Sequence, residues 1–142
     1  MTFNDTLDIT GLKRALVAYT KMMKFINKLE SKSEEETDDY EKHVAQAALI
    51  QHFEFSYELA WKFMQRFLER EGIEVGRSKR VIFREALQMH LIKDFEEWIK
   101  YTDARNETSR TYDEAVAEEV GIVARKFFPE FERFIETLES KL

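Results

Sequence analysis

The sequence predicts an all-α protein, an up-down four-helix bundle with one additional short helix. Three observations lead there. Glycine and proline are scarce, at four and one in 142 residues, too few for the turns of an all-β fold. Apolar residues recur at spacings of three and four over long stretches, the period of a helix with one buried face. No stretch alternates apolar and polar residues as a half-buried strand does. The length fits a single domain spanning residues 1–142 with a core of its own.

Thr10 is the expected N-cap of a first helix over residues 11–31, with Leu12, Leu16, Tyr19, Met23 and Ile26 on one stripe. The run Ser31–Thr37 is polar and aperiodic and reads as a solvated, mobile loop. The second helix, residues 38–71, is long and stops at Gly72. Ala47, Ile50, Glu54, Tyr57, Trp61, Met64 and Leu68 follow its three-four spacing, and Phe53, Ala60, Phe63 and Phe67 widen the apolar arc past half the circumference. A helix that apolar is central or lies at an interface. On its narrow polar stripe Glu58 and Lys62 stand four apart in the favourable order for an ion pair.

Ser78 caps a short helix over 79–89, which carries Val81, Ile82, Ala86 and Leu87. Lys79, Arg80 and Arg84 make its first turns basic, against the helix dipole, which hints at an acidic or phosphate partner. His90 ends this helix. The next helix starts near Asp94, carries Phe95, Trp98 and Ile99, and ends near Ala104. The last runs over 112–139 with Val116, Val120, Val123, Phe127, Phe131, Phe134 and Leu138 on its stripe. Pro129 inside it should kink or restart the helix. Twelve Phe and two Trp exceed what one small bundle has room to hide, so a homodimer is expected.

Several function classes drop out. There is no cysteine, hence no disulfide framework or thiolate metal site. His43 and His52 are nine apart and share no helix face, and Glu54 with Glu58 alone is a weak Mg²⁺ signal, so no metal is expected. No glycine-rich phosphate loop, Walker pattern or Ser-His-Asp set occurs, and no cofactor is expected. No apolar run reaches the roughly 20 residues of a membrane span. Met1–Asp5 lacks a basic segment and an apolar signal core, so a cytoplasmic protein is expected. A net charge of −6 disfavours broad nucleic-acid binding but leaves room for a local anion site.

The most specific stretch is Ala104-Arg105-Asn106-Glu107-Thr108-Ser109-Arg110-Thr111-Tyr112-Asp113-Glu114-Ala115. Thr111 and Glu114 have capping-box spacing, which places a break over 107–110. On a continuous helix Arg105 and Tyr112 would share a face and Arg110 would point away. The break lets all three line one cleft. Asn106 is suited to ending the helix before it. Glu54, beside the aromatic arc, needs a cation, and Arg105 is available.

These twelve residues resemble the signature of the nucleotidyltransferase substrate-binding proteins of the HEPN superfamily. Two further blocks extend the resemblance from about Leu12 to Leu138: Gln51-His52-Phe53-Glu54-Phe55-Ser56-Tyr57-Glu58-Leu59-Ala60-Trp61-Lys62, and Ser78-Lys79-Arg80-Val81-Ile82-Phe83-Arg84-Glu85-Ala86. The resemblance implies a helical, non-catalytic substrate-binding subunit. It implies a partner too, a separately encoded minimal nucleotidyltransferase, in some cases as a toxin–antitoxin pair. Arg105, Asn106, Arg110 and Tyr112 would line the nucleotide or RNA-phosphate site, with Glu54 and Glu58 supporting them. In some toxins of the superfamily the tyrosine matching Tyr112 receives the transferred nucleotidyl group. The alternative is a metal-independent ribonuclease toxin, whose motif is an arginine, four residues, a histidine, one residue and a tyrosine. Here Arg110 stands at the histidine, and arginine does not give up its proton. No other base lies nearby in the sequence. The chain also lacks the Gly-Ser pair and strand-borne acids of a nucleotidyltransferase core.

Overall fold

The computed structural model describes residues 7–142, so the segment Met1–Asp5 read above lies outside the described residues. Among those described there are five α-helices and no strand: α1 Thr10–Glu30, α2 Asp39–Arg70, α3 Lys79–Gln88, α4 Phe95–Asn106 and α5 Glu114–Ser140. A 3₁₀ turn, Glu107–Arg110, joins α4 to α5.

Most boundaries follow from caps. Asp38, Ser78 and Asp94 accept the N–H groups of Tyr40, Val81 and Glu97 at the starts of α2, α3 and α4. Gly72, at φ +83°, closes α2 with bonds from Ile73 N–H to the Leu68 carbonyl (2.9 Å) and from Gly72 N–H to Glu69 (3.0 Å). His90 does the same for α3 at φ +61°, with Leu91 N–H on the Ala86 carbonyl and His90 N–H on Leu87. Histidine is among the side chains enriched in this left-handed region.

Three local expectations are corrected. Thr10 does not cap α1; it is the first helical residue, and Asp8 Oδ1 takes both its N–H (2.9 Å) and its hydroxyl (2.6 Å). A carboxylate is the stronger acceptor, and its charge suits the helix N-terminus. Those two Thr10 bonds hold the Asp8 carboxyl below the ordinary range. Thr111 and Glu114 form no capping box. Asp113 caps α5 through Ala115 N–H (2.9 Å) and Val116 N–H (3.4 Å), while the Thr111 hydroxyl turns back to the Thr108 carbonyl (3.1 Å). Pro129 does not restart the last helix. α5 runs unbroken from Glu114 to Ser140, with Phe127, Phe131 and Phe134 fully buried on both sides of the proline. Packing there outweighs one missing donor.

α2 is the central element and packs against all four other helices, as its wide apolar arc requires. The core gathers around Phe127 of α5. Its ring meets Phe53, Tyr101 and Trp98 edge-on at centroid distances of 5.3, 4.9 and 5.5 Å and stacks on Phe131 at 5.5 Å. Tyr19, fully buried on α1, reaches α5 through its hydroxyl, which donates to the Ala124 carbonyl at 2.5 Å. Among the described residues seven phenylalanines are buried within one chain: Phe53, Phe63, Phe67, Phe83, Phe127, Phe131 and Phe134. The bundle thus hides most but not all of its phenylalanines. Exposed phenylalanines are Phe25 on α1 and Phe55 on α2.

Candidate functional site

Arg105 lies in the last turn of α4, where the helix dipole favours a cation. α2 passes beside it and presents Glu54 and Glu58 one turn apart on the same side. Arg105 Nε donates to Glu58 Oε1 at 3.1 Å, and Nη1 lies 3.1 Å from Glu54 Oε2. The 3₁₀ turn adds Thr108. Its hydroxyl accepts from Arg105 Nη1 (3.0 Å) and donates to Glu54 Oε2 (2.7 Å). The other Glu58 oxygen, Oε2, takes the indole N–H of Trp61 at 3.0 Å. Glu58 thus pairs with Arg105 and Trp61. The expected Glu58–Lys62 pair is absent, and Lys62 Nζ lies 5.8 Å from the Trp61 ring centroid. Among the described residues Arg105 Nη2 makes no bond, which leaves two N–H donors of the fork for a ligand.

Arg105, Glu54 and Glu58 border a concavity of about 750 Å³ between α1 and α2. Gly11, Ala15 and Ala18 of α1 are too small to fill it, and Phe55, 60 % exposed, lines it from α2. Arg14 and His52 line it as well. Burial lowers the His52 pKa from its ordinary value, so the imidazole is neutral at pH 7 and able to accept a proton. The fold thus adds to the concavity a histidine that lies far from Arg105 in the sequence.

The other sequence-predicted residues stand apart. Arg110 is exposed and pairs with Glu107 through Nη1 and Oε2 at 2.8 Å. Tyr112 is 86 % exposed and borders a small recess with His43 and Ile50. Asn106 borders another, with Lys100 and Val116. Arg105 and Tyr112 thus border different cavities, and Arg110 turns to Glu107. The break is a 3₁₀ turn, which advances 120° per residue, and two more non-helical residues precede the α5 cap. Arg14, not Arg110, is the second arginine of the concavity. Sequence reasoning missed Arg14, His52, Thr108 and the Trp61 contact. The spacing of Gly11, Ala15 and Ala18 on one helix face was the available signal.

Among the described residues no group of three or more His, Asp or Glu could hold a metal, and no helix is long and apolar enough to cross a membrane. The family model described as "nucleotidyltransferase substrate binding protein like" matches residues 17–140. The chain belongs to this family. A Haemophilus influenzae relative named probable ribonuclease HepT is 39% identical over 99 residues, covering 67% of this chain and 68% of that protein. A solved Haemophilus influenzae structure, described as revealing the fold of a substrate-binding domain of a nucleotidyltransferase, superposes with a TM-score of 0.80 at 30% identity. The match covers 93% of this chain and 99% of that one. A crystal structure from Thermus thermophilus gives 0.70 at 27% identity, over 89% and 98% of the two chains.

Proposed function

We propose that this chain is the non-catalytic substrate-binding subunit of a separately encoded minimal nucleotidyltransferase. In this reading it is a cytoplasmic homodimer that binds a nucleotide or RNA phosphate and presents it to the catalytic partner, in the manner of a toxin–antitoxin pair. The observation that carries the reading is the state of Arg105. Glu54, Glu58 and Thr108 fix its orientation while Nη2 stays unbonded among the described residues, beside a concavity that also holds Arg14. A fixed guanidinium fork suits an anionic ligand. The family description and the Haemophilus structure support the partner role. Tyr112, exposed on the adjoining turn, is open to a partner's active site as an acceptor, and Asn106 and Arg110 offer polar groups from the same stretch of chain. The test is co-expression with a minimal nucleotidyltransferase from the same genome, followed by affinity purification and sizing. A stoichiometric complex is expected. Two proteins that elute separately would refute the reading.

A second reading, a metal-independent ribonuclease, is favoured by two observations. Neutral His52 shares the concavity with Arg105, and the Haemophilus relative carries a ribonuclease name. General base chemistry needs an unprotonated acceptor, and burial favours the neutral form of the His52 imidazole. Incubating total RNA with wild type, His52→Ala, Arg105→Ala and Arg110→His, with and without EDTA, separates the two. The binding reading expects intact RNA with wild type. EDTA-resistant cleavage lost in both His52→Ala and Arg105→Ala would establish the enzyme.

A further inference from the structure

We infer that Trp61 is a positioning residue for Arg105, acting through Glu58 and braced by Lys79 of α3; the inference deepens the proposed function and rests on Arg105 being its ligand-binding group. Trp61 follows Glu58 by three residues on α2, so the two side chains lie on the same face. The indole N–H donates to Glu58 Oε2 at 3.0 Å, and Glu58 Oε1 accepts Arg105 Nε at 3.1 Å. One carboxylate thus bridges the indole and the guanidinium. A part-exposed glutamate left alone has several rotamers and water to bond. Anchoring one oxygen decides where the other points. Trp61 is itself held on a ring face by Lys79 Nζ, 4.7 Å from the centroid, inside the range of cation–π attraction.

This gives Lys79 a role within the chain, beside the acidic or phosphate partner that the sequence suggested. Lys79 opens α3, where its charge opposes the dipole, and it forms no ion pair among the described residues. Its cation lies on the indole instead. The chain Lys79, Trp61, Glu58, Arg105 links the start of α3 to the end of α4. Trp98, the other tryptophan, is the natural control. It is buried, its indole N–H has no partner among the described residues, and it forms no hydrogen bond with Glu58 or Arg105.

Solvent exchange of the Arg105 Nε–H and of both indole N–H groups tests this by ¹⁵N NMR on the full chain, alongside calorimetric titration with ATP as the probe. Trp61→Phe keeps the ring and removes the donor. Exchange at Arg105 Nε–H should accelerate about fivefold or more, as expected for loss of a charge-assisted anchor, with the melting temperature and the Trp98 signal unmoved. Glu58→Ala should accelerate the Trp61 N–H in the same way and again leave Trp98 alone. Weaker ATP binding in Trp61→Phe, by about threefold, would support the role. Unchanged Arg105 exchange in Trp61→Phe overturns it, whatever ATP does. ATP binding abolished by Arg105→Ala but intact in Trp61→Phe also overturns it while leaving the Arg105 reading standing. A wild type that ignores ATP counts against the nucleotide reading alone, and the exchange rates still decide the role of Trp61.

Discussion

Arg105→Ala removes the cation from a cluster that holds two carboxylates and a hydroxyl. Three contacts go: Nε to Glu58 at 3.1 Å, and Nη1 to Glu54 at 3.1 Å and to Thr108 at 3.0 Å. Fully buried, each charged hydrogen bond would contribute roughly 1.5–3 kcal/mol. The side chains are 32 %, 38 % and 28 % exposed for Arg105, Glu54 and Glu58, so water screens them and rehydrates the freed carboxylates. The cluster falls between an exposed pair, at about 0.2–1 kcal/mol, and a buried one, at about 3–5 kcal/mol. The expected loss is therefore ~1–2 kcal/mol, or ~3–8 °C in melting temperature for a domain of this size. Arg105→Lys keeps the charge, loses the fork and should recover less than half of that loss. Urea denaturation followed by circular dichroism, on Arg105→Ala, Glu58→Ala and the double variant, measures both the loss and the coupling. A cost under ~0.3 kcal/mol, or strict additivity of the two single losses, would mean that the cluster does not hold in solution.

Phe127→Ala should cost ~3–5 kcal/mol, because the ring is fully buried among six other aromatics; denaturant titration checks it. The folded pKa of His52 is lowered, so its contribution to stability is fully present above the unfolded value of 6.5 and is lost as pH falls through the folded value. Melting temperatures between pH 8 and pH 5 should fall less steeply in His52→Gln than in wild type, and parallel curves would contradict this. Sedimentation at low micromolar concentration should show a dimer rather than a 17.0 kDa monomer, with Phe55→Asp shifting it toward monomer; Phe55 is the exposed aromatic that lines the concavity.

The helices were legible because their signals are local. Asp94, Ser78 and Gly72 act within a few residues of themselves, and the apolar period of α2 and α5 identifies their buried faces without knowing what they meet. The start of α5 was misread because two competent caps stand two residues apart. Thr111 instead serves the preceding 3₁₀ turn, and Asp113 takes the helix. Arg105 with Glu54 was legible as a charge balance, since a carboxylate beside aromatic surface requires a cation, whereas the helical spacing gave Glu58 to Lys62 and the fold gives it to Arg105. Arg14 and His52 were not. They reach the concavity from separate helices, and the rotation of α1 about its axis relative to α2 is set by packing that no single segment encodes. Arg110 was misplaced for the opposite reason. Its closeness in sequence to Arg105 suggested closeness in space, and the tight turn gave it Glu107 instead.

The measurement that bears most directly on the central claim is calorimetric titration of a minimal nucleotidyltransferase from the same genome into wild type and into Arg105→Ala. Wild type should bind. Arg105→Ala, folded by circular dichroism, should bind about tenfold or more weakly, the effect of one lost charge-assisted contact of roughly 1.5–3 kcal/mol. Equal affinity for the two proteins would remove Arg105 from the site, and no binding by wild type would remove the partner role itself.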